Sequence, residues 1–363
     1  MIGIFVLMSI HEKYMQRCLE LAKKGFGMVA PNPMVGCVVI YKDKSIGEGF
    51  HMQYGSAHAE VNAINSVEDK SLLKHSTLYI NLEPCSHFGK TPPCADLIIG
   101  SGIKYVVIGC IDPNPLVKGK GMQKLISSGC DVKVGVLENE CRELNRRFYT
   151  FYEKKRPYII LKWASTADGY IGIKNEKPVV GKVEPLKITN DAANKIVHQW
   201  RSEEQAIMVG TNTALMDDPQ LTVRHVQGKN PLRVLLDKEL KVSQQYHLLD
   251  GSTSTIVFTE KEKKLESNIE YVSIDFSRDV LKQVMNELFK RNIQSVIVEG
   301  GANLLNSFIQ ENLWDEARVL TGTKKLNELS NNGNGLMEPE ISGKVISQEV
   351  VSGDRIKIIR NIS

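Results

Sequence analysis

One histidine and two cysteines are the residues of this chain best suited to chemistry. His58 stands two residues before Glu60, and Cys85 and Cys94 follow, each directly after a proline. One imidazole and two thiolates form a donor set that suits Zn²⁺. Three protein ligands leave a fourth position open, which fits a catalytic zinc holding water better than a closed structural one. Glu60 is then the candidate catalytic proton carrier for that water. The bland alternatives are three unrelated residues or a structural zinc; ligand types, their order and the Glu60 offset agree against both. His87 lies between the two cysteines. As a fourth ligand it would close the site, so it is read as near the substrate or simply exposed.

The elements that must position these residues follow from hydrophobic period. Residues 11–24 predict a helix, with Ser9 as its cap. Val35–Ile40 and Ser45–Phe50 read as strands around a Lys42-Asp43-Lys44 turn. Ala57–Asn65 predicts a helix with His58 and Glu60 near its start, and Thr77–Ile80 a strand feeding Pro84-Cys85. Cys94–Gly100 predicts a helix opened by prolines. Ile103–Ile111 and Val132–Val136 predict strands, Gly121–Ser128 a helix, and Glu138–Phe148 a single closing helix. Both metal-bearing segments open helices, whose N-terminal potential favours thiolate over thiol. Arg146–Pro157, basic and aromatic, reads as a helix end and linker with rings packed between domains; nucleic-acid binding is the less favoured reading of so short a run.

The whole chain sets limits on this reading. Its 363 residues are long for one core and favour two domains. A net charge of +4 fits anionic small molecules and is too mild to argue for nucleic acid. No apolar run is long enough to span a membrane. The apolar opening lacks the basic start and cleavage site of a signal peptide, and residues 1–7 read as an upstream extension before Met8. All seven cysteines fall before residue 142. An odd count without secretory features points to a reducing, cytoplasmic setting with metal-bound or buried thiols.

The second half alternates strands (Tyr158–Ala164, Ala206–Gly210, Leu232–Leu236, Thr255–Phe258, Tyr271–Ile274, Ser295–Val298, Arg318–Leu320, Ile356–Ile359) with helices, one capped by Thr189 or Asn190 and one over Val280–Lys290. In the first half the same alternation predicts an α/β sheet with helices on both faces. Residues 325–339, rich in Asn and Gly, read as a loop. Gly300-Gly301 lies between a strand and a helix, where backbone amides can hold a phosphate or simply make a tight turn. It is not Gly-x-Gly-x-x-Gly, which argues against a Rossmann site. Thr211-Asn212-Thr213 could serve the same anion. Arg201 and Arg224 could be surface charges or phosphate clamps. Pro31-Asn32-Pro33 and Asp112-Pro113-Asn114-Pro115 are turns or substrate-contacting loops; the latter sits where α/β ligands tend to bind.

A His-x-Glu followed by Pro-Cys and a second Cys is the signature of zinc deaminases acting on nucleobases. Those enzymes mostly have two residues between the cysteines; here there are eight, Ser86 to Pro93. With His58-Ala59-Glu60-Val61, Leu82-Glu83-Pro84-Cys85-Ser86-His87, Gly89-Lys90-Thr91-Pro92-Pro93-Cys94, Asp112-Pro113-Asn114-Pro115, Asp168-Gly169, Asp217-Asp218-Pro219-Gln220-Leu221-Thr222-Val223-Arg224 and Val298-Glu299-Gly300-Gly301, the chain resembles the bifunctional riboflavin-biosynthesis deaminase–reductase family over nearly its whole length.

The resemblance implies an N-terminal cytidine-deaminase-like three-layer α/β/α domain over 8–150 and a C-terminal dihydrofolate-reductase-like α/β domain over 157–363. It implies Zn²⁺ and NADPH as cofactors and a phosphorylated pyrimidine as substrate, first deaminated, then reduced from ribosyl to ribityl. Ala164, Thr213, Asp217, Gly301, Ala302, Asn303, Leu304, Leu305, Asn306 and Ser307 would contact the cofactor. Arg201, Leu221, Arg224 and Glu299 would contact the sugar phosphate, with Asn32 and Lys90 serving substrate in the first domain. It also implies a homo-oligomer built through the reductase half. Where the family often has Trp, this chain has Lys187. The competing reading, a nucleic-acid base deaminase with a fused RNA-binding domain, needs a short Pro-Cys-x-x-Cys and a basic, aromatic second half; the sequence has neither. A third reading is a zinc-stabilised scaffold that binds nucleotide without catalysis.

Overall fold

The computed structural model describes residues 8–86, 92–174, 186–330 and 334–362. The chain divides into two compact units, Met1–Lys155 and Arg156–Ser363.

The first unit runs α1 (Ile10–Lys23), β1 (Gly36–Tyr41), β2 (Lys44–Phe50), α2 (Ala59–Ser66), β3 (Thr77–Leu82) and α3 (Cys94–Gly100). It continues with β4 (Tyr105–Cys110), α4 (Lys120–Ser127), β5 (Asp131–Val134), α5 (Glu138–Leu144) and α6 (Arg146–Lys154). Its sheet has the order β2-β1-β3-β4-β5. β3, β4 and β5 are parallel, and β1 is antiparallel to both neighbours. Strand residues alternate between two cores. Val39, Ile80 and Ile108 enter one; Val38, Tyr79 and Val107 enter the other. Both sheet faces are therefore covered, which explains why these strands read as apolar runs. α2 lies directly on β2 because Gly49 permits it: a Cβ there would stand 2.3 Å from the Ala63 nitrogen.

The second unit runs β6 (Tyr158–Ser165), β7 (Tyr170–Ile173), α7 (Asp191–Glu203), β8 (Ala206–Gly210), α8 (Thr211–Asp217) and β9 (Leu232–Leu236). Then come β10 (Thr255–Thr259), β11 (Ile269–Ser273), α9 (Val280–Lys290), β12 (Ser295–Val298) and α10 (Ala302–Gln310). The last elements are β13 (Glu316–Thr321), α11 (Leu326–Leu329), β14 (Gly335–Met337), β15 (Lys344–Val351) and β16 (Asp354–Arg360). The main sheet is ordered β11-β10-β9-β8-β12-β6-β13-β16-β15. It is parallel from β11 to β13 and closes with an antiparallel β13-β16-β15 hairpin. Asn190 caps α7, its side chain accepting from the Ala193 N–H. Among the described residues no helix is long and apolar enough to cross a membrane.

Three expectations need correction. The closing helix of the first unit is two helices, broken at Asn145. The basic, aromatic run is mostly helix: it forms α6 before the units divide at Lys155, and Phe148 and Tyr149 bury their rings in the first unit's own core. The three cationic residues of α6, Arg146, Arg147 and Lys154, lie among its rings, so charge masks the amphipathic pattern. Residues 325–339 contain α11 and β14, the latter paired antiparallel with β7. β7 and β15 were not anticipated either.

Replacing Phe148 by Ala is expected to destabilise the first unit by about 3–5 kcal/mol in urea unfolding. A linker ring would cost less than about 0.5 kcal/mol.

Candidate metal centre and nucleotide cleft

β3 ends at Leu82 and the chain continues through Glu83-Pro84 to Cys85. His58 occupies the N-cap of α2, and Cys94 is the first residue of α3. The metal residues therefore meet where a strand end faces two helix starts. Cys85 Sγ lies 3.7 Å and Cys94 Sγ 3.3 Å from His58 Nδ1. The three ligand atoms all lie within 4.8 Å of one another. Ligands about 2.0–2.3 Å from a common centre at tetrahedral angles stand about 3.5 Å apart, so the set fits zinc. The Cys94 N–H also donates to Cys85 Sγ at 3.3 Å. The Cys85 thiol is held below its ordinary range, first by the hydrogen bond from Cys94, with His58 and the Cys94 N–H adding to it against the opposing effect of burial. The cluster is thus poised to present a thiolate.

Glu60 is buried beside it. Burial pushes its carboxyl up to about 7, and the negative charge of Cys85 adds to the shift. A carboxyl in that range both takes and returns a proton near neutral pH. Glu60 and His58 line a cavity of about 280 Å³ with Asn32, His51, Tyr54, Cys85, Asp112, Asn114 and Tyr152.

Asn32 reaches this cavity because two buried amides grip its loop. Asn145 Oδ1 accepts from the Met34 N–H at 2.8 Å, and the Asn145 and Asn81 amides donate to the Met34 carbonyl. Asn32 Nδ2 stands 3.1 Å from His51 Nε2, while His51 Nδ1 donates to the Ala57 carbonyl at 3.0 Å. The carbonyl keeps the imidazole proton on Nδ1, so Nε2 is free to accept from Asn32. Sequence reasoning missed His51: it sits just past β2, at no spacing that marks it. Asp112 stands in the Asp112-Pro113-Asn114-Pro115 loop after β4, and burial raises its carboxyl to about 7. Lys90, Thr91 and His87 fall outside the described residues, as do residues 1–7.

In the second unit the end of β12 carries Glu299. Its carboxylate accepts from Arg201 Nε and Nη2, each at 2.8 Å, and from Lys162 Nζ at 3.3 Å. The cluster brings together Arg201 and Glu299, each expected to contact the sugar phosphate, as an ion pair, and adds Lys162, which nothing in the sequence marked. Burial alone would raise Glu299, but the Arg201 guanidinium, then the Lys162 ammonium, outweigh it and hold the carboxyl at about 2. Arg201 also reaches the Thr222 carbonyl. Leu221 is buried nearby with φ 52°. Arg224 is exposed and bonded locally to Gln220 and Thr222.

A cleft of about 750 Å³ runs along the carboxyl ends of β8, β9 and β12. Thr213, Gly301, Ala302, Asn303, Leu304 and Ser307 line it, together with Thr211, Asp237, Lys238, Lys241 and Phe276. The Gly301 N–H donates to Thr213 Oγ1 at 2.8 Å, and α10 opens there without a capping side chain. Such a helix start accommodates a phosphate. Not every expected cofactor residue lines the cleft. Leu305 is fully buried in the core and does not reach the cleft; Leu304, in the same core, does. Asn306 and Ala164 are half-buried and Asp217 is exposed, all three away from the cleft lining. Lys187 is exposed and pairs with Asp191 at 2.8 Å.

Comparison with known proteins covers both units. Residues 157–326 match the family described as RibD C-terminal domain, and residues 8–110 match the cytidine and deoxycytidylate deaminase zinc-binding region. The riboflavin biosynthesis protein RibD of Aquifex aeolicus is 41% identical, over 95% of this chain and 96% of its own. The RibD of Bacillus amyloliquefaciens is 42% identical, over 85% and 83%. A Thermotoga maritima crystal structure described as a diaminohydroxyphosphoribosylaminopyrimidine deaminase/5-amino-6-(5-phosphoribosylamino)uracil reductase superposes with a TM-score of 0.82. It is 38% identical, covering 97% of this chain and 99% of that one. An Acinetobacter baumannii RibD structure gives 0.85 at 31% identity, covering 97% and 98%.

The Glu299 cluster has a pH signature. A carboxyl depressed from 4.5 to about 2 contributes stability that is complete above 4.5 and is lost as pH falls toward 2. Urea midpoints of the second unit should fall across that window. Glu299→Gln should abolish that component and, by leaving two buried cations without their carboxylate, cost about 3–5 kcal/mol at neutral pH.

Proposed function

The chain belongs to the RibD family of riboflavin biosynthesis proteins, and from that membership we propose how its residues divide the work. The protein is a bifunctional enzyme. It hydrolyses the amine from 2,5-diamino-6-ribosylamino-4(3H)-pyrimidinone 5′-phosphate, then reduces the ribosyl group to ribityl with NADPH. We assign the first step to a domain over 8–150 and the second to a domain over 157–363.

The convergence of His58, Cys85 and Cys94 beside a buried Glu60 in one cavity carries this assignment. His58, Cys85 and Cys94 would hold the zinc. Bound there, Zn²⁺ supplies the acidity that lets water lose a proton near neutral pH. Glu60 takes that proton and returns it to the ring and to the departing ammonia. Its raised pKa suits both directions of transfer. Asn32, oriented by His51, contacts the pyrimidine, and Lys90 is assigned to the phosphorylated ribosylamine.

In the second domain the start of α10 and Thr213 would hold the dinucleotide phosphates. NADPH supplies the hydride. Arg201, Leu221, Arg224 and Glu299 orient the phosphorylated sugar. Lys162, whose ammonium form burial disfavours, joins this cluster through its bond to Glu299. Ala164, Asp217, Leu305 and Asn306 lie outside the cleft lining and have weaker support as cofactor contacts than Thr213 and Gly301–Leu304. We also assign the chain to a homo-oligomer built through this domain. The edge position of β15, with Val345, Ile346 and Val350 exposed, supports that reading.

Glu60→Gln is the test of the first step. It should keep zinc at the wild-type ratio, lower the rate of ammonia release by about 10²–10⁴, and leave NADPH oxidation with pre-deaminated substrate unchanged. Full ammonia release by the zinc-loaded variant would sink the hydrolytic assignment. For the assembly, light scattering should give more than one chain per particle.

A further inference from the structure

Glu83 stands two residues before the metal ligand Cys85 and is only 4% exposed. The mechanism above gives it no role. Both of its carboxylate oxygens are nevertheless engaged, and by backbone rather than side chains. Oε2 accepts from the Asp112 N–H at 3.2 Å and the Gly119 N–H at 2.9 Å. Oε1 accepts from the Met122 N–H at 3.0 Å. These donors span the loop after β4 and the first turn of α4, a helix whose own N-cap, Gly119, has no side chain to offer. One carboxylate from the metal-bearing segment therefore closes the loop and caps the helix behind it.

That loop forms a wall of the deamination cavity. Asp112 and Asn114 line the cavity, and the Asn114 N–H donates to Asp112 Oδ1 at 2.7 Å. The two segments touch closely because residue 121 is glycine. A Cβ there would lie 1.9 Å from the Pro84 carbonyl oxygen and 3.3 Å from Glu83 Oε1. Pro84 in turn adjoins Cys85. Beyond the β3–β4 ladder, whose last bond runs from the Glu83 N–H to the Cys110 carbonyl at 3.0 Å, the Cys85 segment is tied to the Asp112 wall by the Glu83 carboxylate against three amides, with Gly121 allowing the approach.

We propose that Glu83 is a positioning residue for deamination, holding the Asp112–Asn114 wall in register with the metal centre so that the pyrimidine binds between them. The proposal rests on the reading of this cavity as the deamination site. Only a carboxylate meets the requirement. It offers acceptors on both oxygens, whereas the amide of a glutamine would set its NH₂ against at least one backbone N–H in either orientation.

The test uses the full chain loaded with zinc. Glu83→Gln should keep zinc content at the wild-type ratio and raise the KM for ammonia release about ten- to hundredfold while kcat changes far less. Gly121→Ala, which pushes on the same contact from the other side, should give the same split. Hydrogen exchange at the Asp112, Gly119 and Met122 amides should quicken in Glu83→Gln. A wild-type KM with unchanged exchange overturns the proposal. So does loss of zinc, which would make Glu83 a support for the metal segment alone, and so does a fall in kcat at constant KM, which would make it part of the chemistry. Absence of ammonia release from the wild-type protein would instead remove the deamination reading itself; the exchange measurement still reports whether Glu83 holds the wall.

Discussion

Burying polar groups at the end of a strand is costly unless every one of them finds a partner. β3 ends in two such groups, Asn81 and Glu83, at alternate positions just before Cys85. Asn81 accepts from the Gly36 N–H and donates to the Met34 carbonyl; Glu83 gathers three amides from beyond β4. Because both are satisfied only in one arrangement, the strand end fixes three things together: the thiolate ligand, the loop bearing Asn32 and the loop bearing Asp112. A fully satisfied buried network of this kind specifies geometry more than it adds stability. The candidate metal centre depends on that specification, since the residues that could hold the ion come from three separate elements.

The second unit meets the same demand with charge instead of amides. Glu299 sits past the end of β12, where the carboxyl ends of parallel strands make a crevice. Two cations from β6 and α7 converge on it. Planar Arg201 supplies a two-point match and Lys162 a third contact, so the carboxylate stays ionised despite burial. The start of α10, two residues on, opens onto the adjoining cleft. Anion-holding backbone and a locked ionic cluster are therefore neighbours in sequence as well as in space.

What could be read from the sequence follows from how narrowly chemistry restricts residue choice. Few side chains ligate zinc, so His58, Cys85 and Cys94 stood out, and the Glu60 offset with them. Apolar runs such as residues 106–110 marked strands buried on both faces. Other features carry no such restriction. His51 and Lys162 become site residues only because the sheets bring them there. α6 was obscured by its own cationic residues. β15 is exposed along almost its whole length and shows no alternation to detect. A contiguous run from Gly301 to Ser307 transfers by motif as a block, yet Leu305 stays wholly in the core and Asn306 off the cleft lining, while Leu304 and Ser307 reach the cleft.

Both units lie on one chain, divided at Lys155 and Arg156. Each translated copy therefore carries one centre of each kind. The pool of intermediate between the two reactions is then governed by the ratio of two turnover rates and cannot drift with separate expression of two genes. A change that slows the second centre has no extra copies to compensate it, so the unreduced compound accumulates.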